Sequence, residues 1–281
     1  MKVILGGVRG TSCMSQPEYM RYGGDTTSVL VKGERGERVI IDAGTGVRRL
    51  GQVLEAEGAD RPMLMLFTHY HLDHVIGLPS LSLLYRNEAK FEIASPPRGG
   101  HTAKEVLSQL IAQPYWPVQL EELHAALDFL PWADEASKDP YPFGKLAVRW
   151  CPVHHPGGCT AYRIDEPETG RSFVFATDVE WTLSTPAERE AFLRLCREPA
   201  PPSLLVFDGQ FSRENYARFV GWGHSAWEDA VDAARAVKAK LLLVTHHAPQ
   251  NNDERLERLD AQMTRELSDV KLARDGMEIV L

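Results

Sequence analysis

Short aliphatic and β-branched runs recur from one end of the chain to the other: VILG at 3, SVLV at 28, RVIID at 38, LMLFTH at 64, VRWCPV at 148, SFVFATD at 172, LLVFDG at 204, LLLVTHH at 241 and MEIVL at the C-terminus. Runs of this kind predict strands. Between several of them apolar residues repeat at helical spacing, which predicts helices over 46–57, 75–86, 102–112, 186–197, 225–239 and 253–267. Such alternation makes an α/β protein. The stretch 98–145 interrupts it with PPRGG, QPYWP and DPYPFG turns and is expected to be an insertion or lid. With no repeat and no low-complexity linker, residues 1–281 are expected to form one domain.

The polar residues able to do chemistry stand just after the apolar runs. Asp42 follows VII, His69 follows LMLFT, His155 comes after CPV, Asp178 follows VFAT, Asp208 follows LVF, and His246 follows LLVT. Sites in α/β proteins gather at strand ends, so these six ends can converge on one cleft.

Composition narrows the partners. A hydrophobic content of 43% and a charged content of 25% are those of a folded globular chain. A net charge of -8 and a pI near 5.7 provide no global positive field, so long nucleic acid is not an expected partner and small anionic ligands fit more easily. No apolar run approaches the roughly 18 residues that cross a bilayer, and MKVILGGVRG is too short in its apolar part for a signal-peptide core. A cytoplasmic location is expected. The four cysteines at 13, 151, 159 and 196 show no CxxC pairing and no framework spacing, which predicts reduced, structural thiols.

The densest chemistry lies in FTHYHLDHVIGLP at 67–79. In an extended chain alternate residues share a face, so His69, His71 and Asp73 can project together while His74 turns inward as the next helix begins. Two imidazoles plus a distant third complete a tetrahedral metal site with an open position, and a carboxylate with another imidazole begins a second site. Nitrogen and oxygen ligands suit Zn(II), with Mn(II) and Fe(II) also compatible. A lone histidine is usually structural, but a matching second cluster is present: His154 and His155 in CPVHHPGGCTAYRI, Asp178 in SFVFATDVE, and His246 and His247 in LLLVTHHAPQNND.

The order and spacing of HYHLDH, HHPGG, ATD and THH resemble, nearly end to end, the motif series of the metallo-β-lactamase fold hydrolases. That resemblance implies a four-layer αββα sandwich. It implies that His69, His71 and His155 hold one divalent metal and Asp73, His74 and His246 the other, with Asp178 bridging and Asp73 also acting in catalysis. His155 is preferred over His154 because it directly precedes Pro-Gly-Gly, and His246 follows Thr245 as the family's ligand does. His154 is expected to pack or support, and His247 to stand outside the ligand set. Asp42, in IIDAG, resembles the buried aspartate that accepts a hydrogen bond from a ligand histidine and fixes its tautomer. Two such ions, zinc first and manganese second, lower the pKa of a shared water and neutralise charge growing on an attacked phosphate.

LLVFDGQF and GWGHSAWEDAV narrow the resemblance to the ribonuclease Z-like and cyclic-nucleotide phosphodiesterase branch, where a Gly-His-Ser histidine protonates the leaving oxygen and an acid on the preceding strand orients it. Here those residues would be His224 and Asp208. Ser225 is also expected to cap the following helix, with Glu228 at the capping-box position. YGGDTT at 22, GVRG at 7 and YWPV at 115 are similar to stretches in small stand-alone members, the anti-Pycsar phosphodiesterases among them. Asp25 stands where those carry Asn, and Ala226 where Thr follows His-Ser. The resemblance places Asp25 and Thr26 near the substrate, and Tyr115 and Trp116 could stack on a base. Arg9 and Arg21 could meet phosphate.

The implied function is hydrolysis of a small phosphodiester, cyclic nucleotides foremost, by a homodimer. The alternatives are a ribonuclease Z-like endonuclease, a cyclic ribose phosphate phosphodiesterase and a hydrolase of non-phosphate esters. The long glycine-rich basic arm with which the tRNA-processing branch grasps its substrate is absent from this sequence.

Overall fold

The computed structural model describes residues 1–266 and 269–281. Six strands come first in the chain: β1 (Lys2–Gly7), β2 (Ser28–Lys32), β3 (Arg38–Ile41), β4 (Met63–Leu66), β5 (Lys90–Ser95) and β6 (Ala126–Pro131). Seven follow: β7 (Tyr141–Phe143), β8 (Leu146–Val153), β9 (Cys159–Glu166), β10 (Arg171–Ala176), β11 (Leu204–Asp208), β12 (Leu242–Thr245) and β13 (Val270–Leu272). Finally β14 (Glu278–Val280) returns to the first group. They form two seven-stranded sheets, ordered β14-β1-β2-β3-β4-β5-β6 and β13-β12-β11-β10-β9-β8-β7. Strands β3 to β6 are parallel, as are β10 to β13, and antiparallel pairs fill the remainder.

The helices are α1 (Val47–Ala56), α2 (Leu72–Val75), α3 (Ala103–Leu110), α4 (Pro186–Arg197), α5 (Arg213–Tyr216), α6 (Trp227–Val237) and α7 (Asp253–Glu266). Strand alternation sorts the core into layers. In β4, Leu64 and Leu66 point between the sheets while Met63 and Met65 meet α1 and α3. In β10 and β11, Phe173, Phe175, Leu204 and Val206 fill the space between the sheets, and Val174, Leu205 and Phe207 pack under α4 and α6. Both faces of the central strands are therefore covered, which is why these segments read as unbroken apolar runs. The result is the expected four-layer αββα sandwich.

Three expectations change in detail. The helix expected over 75–86 is the single turn α2 followed by 3-10 turns at Leu78–Ser80 and Ser82–Tyr85, because Pro79 has no amide with which to continue an α-helical ladder. The helix expected over 225–239 runs Trp227–Val237, and its N-cap is Ala226 rather than Ser225, whose hydroxyl donates to the Val179 carbonyl. The stretch 98–145, expected as an insertion or lid, contributes α3, the edge strand β6 beside β5, and β7 beside β8. Of the helix expected over 253–267, residues 253–266 are helical and 267 lies outside the described residues.

Candidate metal centre

Strand β4 ends under the chain segment that carries the first cluster. Its last residues are sealed in the core, and the chain then turns at His69 so that His71 becomes the N-cap of α2. His69, Asp73 and His74 are buried, and His71 is exposed at the rim. The second sheet supplies the rest from strand ends: His155 after β8, Asp178 after β10, His246 after β12.

These residues assemble into two groups around one carboxylate. His69, His71, His155 and Asp178 bring ligand-type atoms within 4.8 Å of one another, and so do Asp73, His74 and His246. Oδ1 of Asp178 faces the first group, 3.7 Å from His69 Nε2 and 3.8 Å from His155 Nε2. Oδ2 faces the second, 3.1 Å from His74 Nε2 and 3.3 Å from His246 Nε2. Asp73 Oδ2 completes that side at 3.5 and 3.3 Å from the same two nitrogens.

The donor set fits divalent cations. The Nε2 atoms of His69, His74 and His246 are buried and make no hydrogen bond, a costly state for polar atoms unless something binds them. On His69, His74 and His155 the opposite ring nitrogen is held as a donor, while both ring nitrogens of His246 are without a hydrogen bond. His74 Nδ1 lies 2.8 Å from Asp42 Oδ2 and His155 Nδ1 lies 2.8 Å from the Gly223 carbonyl. Thr68 donates its hydroxyl to Asp42 and therefore accepts from His69 Nδ1 at 3.1 Å. Each of these three rings thus aims Nε2 at the shared carboxylates, where a cation would take the place of any proton on it.

The charges are those of a cation site without its cation: against burial, the neighbouring carboxylates hold His74 well above and His246 above the usual imidazole value, so a bound ion would take the place of their protons. Burial alone would raise the Asp178 carboxyl, but His246, His74 and His69 hold it well below the usual range. Burial is likewise outweighed at Asp73 by His74 and His246. Burial pushes His69 well down and His155 to about 4, which keeps both imidazoles neutral as ligands must be. Among the described residues five non-glycine positions have positive φ, and Thr11, Asp42, Asp178 and His246 are four of them, so backbone strain concentrates here.

His224 sits over both groups. Its ring stacks on His246 with centroids 4.8 Å apart, and its Nδ1 lies 3.0 Å from Asp208 Oδ2. Asp208 is fully buried and also accepts the N–H groups of Asp178, at 3.0 Å, and Ser225, at 2.9 Å. One carboxylate therefore aligns the histidine and the central aspartate together.

Other sequence expectations are redirected. Asp25 accepts from the Thr45 hydroxyl and faces Arg49, while Thr26 exchanges two hydrogen bonds with Thr45, so both bind the loop before α1 rather than facing the centre. Trp116 is half-buried against the α3 layer and donates to Tyr85, and Tyr115 beside it is 76% exposed. His154 faces Glu188 at 3.4 Å. His247 is buried away from the ligands, donating to the Ala273 carbonyl and meeting Tyr22 edge-on. Arg9 is fully buried, with its guanidinium on the carbonyls of Gly23, Asn251 and Ala248, and Arg21 pairs with Glu257 and Asp253. Sequence reasoning missed Thr68, whose hydroxyl before the first ligand was a readable signal. It also missed Thr11, whose backbone N–H reaches Asp73 Oδ2 at 2.7 Å and which left no signal.

Residues 37–247, which include all seven residues of the two groups, match the model of the beta-lactamase superfamily domain. The chain belongs to the beta-lactamase superfamily. With this fold and family it is a metallo-β-lactamase fold hydrolase. Among curated relatives, this superfamily member is 28% identical over 259 residues to the ribonuclease Z of Pyrobaculum calidifontis, covering 82% of this chain and 83% of that one. Two solved structures share its fold, each with a TM-score of 0.70 and covering 100% of this chain and 99% of the other. They are the short form of human tRNase Z, at 19% identity, and unliganded yeast PDE1, at 18%.

Proposed function

We propose that the protein is a two-metal phosphodiesterase that hydrolyses small phosphodiesters, cyclic nucleotides foremost, with His224 as the general acid. The observation that carries this is the His224–Asp208 pair standing over an aspartate whose two oxygens face separate ligand groups. His69, His71 and His155 would hold one cation and Asp73, His74 and His246 the other, with Asp178 shared. Divalent ions bound there, zinc or alternatively manganese, supply a nucleophilic water at neutral pH and charge neutralisation at the phosphate.

Cleavage of an alkyl phosphodiester forms a bond from water oxygen to phosphorus and breaks the phosphorus–oxygen bond to the leaving alkoxide, which needs a proton. Asp208 fixes the His224 ring through Nδ1, leaving Nε2 as the nitrogen that can pass a proton to that oxygen. Phe211, whose ring centroid is 6.0 Å from that of His224, lines an adjoining cavity of about 430 Å³ together with Gln210, Arg218, Phe219 and Arg255. Aromatic faces beside guanidinium groups suit a nucleotide.

The relative named ribonuclease Z supports a second reading, an RNA endonuclease. The net charge of -8 and the short β9–β10 hairpin, which is all that links His155 to Asp178, favour the smaller substrate. The proposed working form is a homodimer, which would cover exposed apolar side chains such as Leu72, Tyr115 and Trp222. Four unpaired cysteines, three of them buried, suit the proposed cytoplasmic location.

The test combines metal analysis with a panel of 3′,5′ and 2′,3′ cyclic mononucleotides, a cyclic dinucleotide and a precursor tRNA. Faster opening of a cyclic nucleotide with two ions per chain is the expected result. Preferential tRNA cleavage would establish the second reading, and two ions without diester turnover would point to other esters. His224→Ala should cost about 10²- to 10⁴-fold on an alkoxide-releasing diester and little on bis(p-nitrophenyl) phosphate, whose leaving group needs no proton.

A further inference from the structure

We infer that Glu180 is a positioning residue that sets the proton donor and one ligand histidine together. This rests on the general-acid reading of His224. Glu180 follows Asp178 by two residues, is fully buried, and has no cationic side chain within 4.0 Å among the described residues. Its charge is met by three donors instead. Oε1 accepts the Tyr216 hydroxyl at 2.6 Å and the Gly221 N–H at 2.7 Å, and Oε2 accepts the Gly223 N–H at 2.8 Å. All three come from the segment that leads into His224.

Gly223 makes this clamp consequential. Its carbonyl takes the Nδ1 proton of His155, fixing that ring's Nε2 toward Asp178 and His71. Its φ is +89°, and a Cβ there would lie 2.1 Å from His155 Nδ1, so the segment passes against the ligand with no room for a side chain. The next residue is His224. On the other side, the Glu180 N–H donates to the His154 carbonyl, at 2.9 Å, directly before His155. Glu180 is thus bonded to the flanks of both histidines. A buried carboxylate that makes every bond to one short segment holds it in a single arrangement, because releasing any donor leaves it unsatisfied.

Glu180→Gln preserves shape but turns an NH2 group toward either the Gly223 N–H or the Gly221 side. In the metal-loaded protein, kcat on an alkoxide-releasing diester should fall about 10- to 100-fold with KM little changed. At saturating metal, turnover of bis(p-nitrophenyl) phosphate should stay within about threefold, while the ion held by His69, His71 and His155 should bind about 2- to 10-fold more weakly, because the Gly223 carbonyl that orients His155 shifts with the segment. Added to His224→Ala, Glu180→Gln should cost less than about twofold more, because both changes disable one step. Tyr216→Phe, which removes one of the three donors at the half-buried edge, should show the same substrate selectivity at about 2- to 5-fold. Equal loss on both diesters, or losses that multiply with those of His224→Ala, would overturn the positioning role. If instead His224→Ala itself shows no leaving-group dependence, the general-acid reading fails first and the role assigned to Glu180 falls with it.

Discussion

Asp42→Asn exchanges one oxygen for an NH2 group in a socket built only from donors. Asp42 Oδ1 accepts the Thr68 N–H at 2.7 Å, and Oδ2 accepts the Thr68 hydroxyl at 2.8 Å and His74 Nδ1 at 2.8 Å. Asparagine tolerates the φ of 60° at this position, so the backbone need not move. Its carbonyl can keep the Thr68 N–H, which turns the NH2 group toward His74 Nδ1. The His74 proton then belongs on Nε2, where it points at Asp178 Oδ2 and blocks the lone pair a cation would use. Losing a charge-assisted hydrogen bond of about 1.5–3 kcal/mol corresponds to roughly 10- to 100-fold in affinity, the range seen when partners of metal-binding histidines are replaced. We therefore predict that the ion held by Asp73, His74 and His246 binds 10- to 100-fold more weakly, while the ion at His69, His71 and His155 is affected by about threefold or less. Stepwise calorimetric titration of chelator-treated protein, with metal analysis after dialysis, measures both. The chelated variant should melt within a few degrees of wild type, because burial raises the Asp42 carboxyl and its charge is a burden in the absence of metal. Two ions at wild-type affinity, or a metal-free protein that unfolds first, would refute this account of Asp42.

Asp178→Ala removes the carboxylate shared by the two groups and should reduce bound metal from two ions toward one or none; retention of both at full affinity would exclude the bridging role. Asp275 accepts the N–H groups of Val8 and Asp25, and burial pushes its carboxyl up to about 7 although both of those N–H groups act to lower it. The folded state therefore holds its proton more tightly than the unfolded state, so this stability is fully present below the unfolded value of 3.8 and is lost as pH rises from there through about 7. Asp275→Asn should remove up to about 4 kcal/mol of that decline, read as a flatter dependence of Tm on pH than in wild type; parallel curves would contradict it.

The sequence displayed the centre more openly than the scaffold around it. HYHLDH and THH are contiguous, and apolar runs buried on both faces announce β3, β4 and β10 to β12. Strand β9 went unrecognised because CTAYRIDE carries four polar residues, yet all eight positions are buried. Arg163 turns to Asp165 and to the carbonyls of Leu195, Cys196 and Ala200, and Glu166 meets the N-terminal amine. Pairing partners that lie far along the chain erase the polarity signal. Arg9 misled for the same reason: its partners are backbone carbonyls that only the fold brings near. Asp25 and Thr26 stand in a family-like stretch, but their contacts with Thr45 depend on how the loop closes on α1.

The two groups have one further property in common. Each takes residues from both sheets: His69 and His71 face His155 across the gap, and Asp73 and His74 face His246. Ions seated there would act as rivets through the open edge of the sandwich, joining parts of the chain that are made far apart during synthesis. With the ions held as proposed, neither half would own a complete centre, so hydrolytic competence would arise only once the layers have closed, and a partly folded chain would not attack phosphodiesters on its way to the native state.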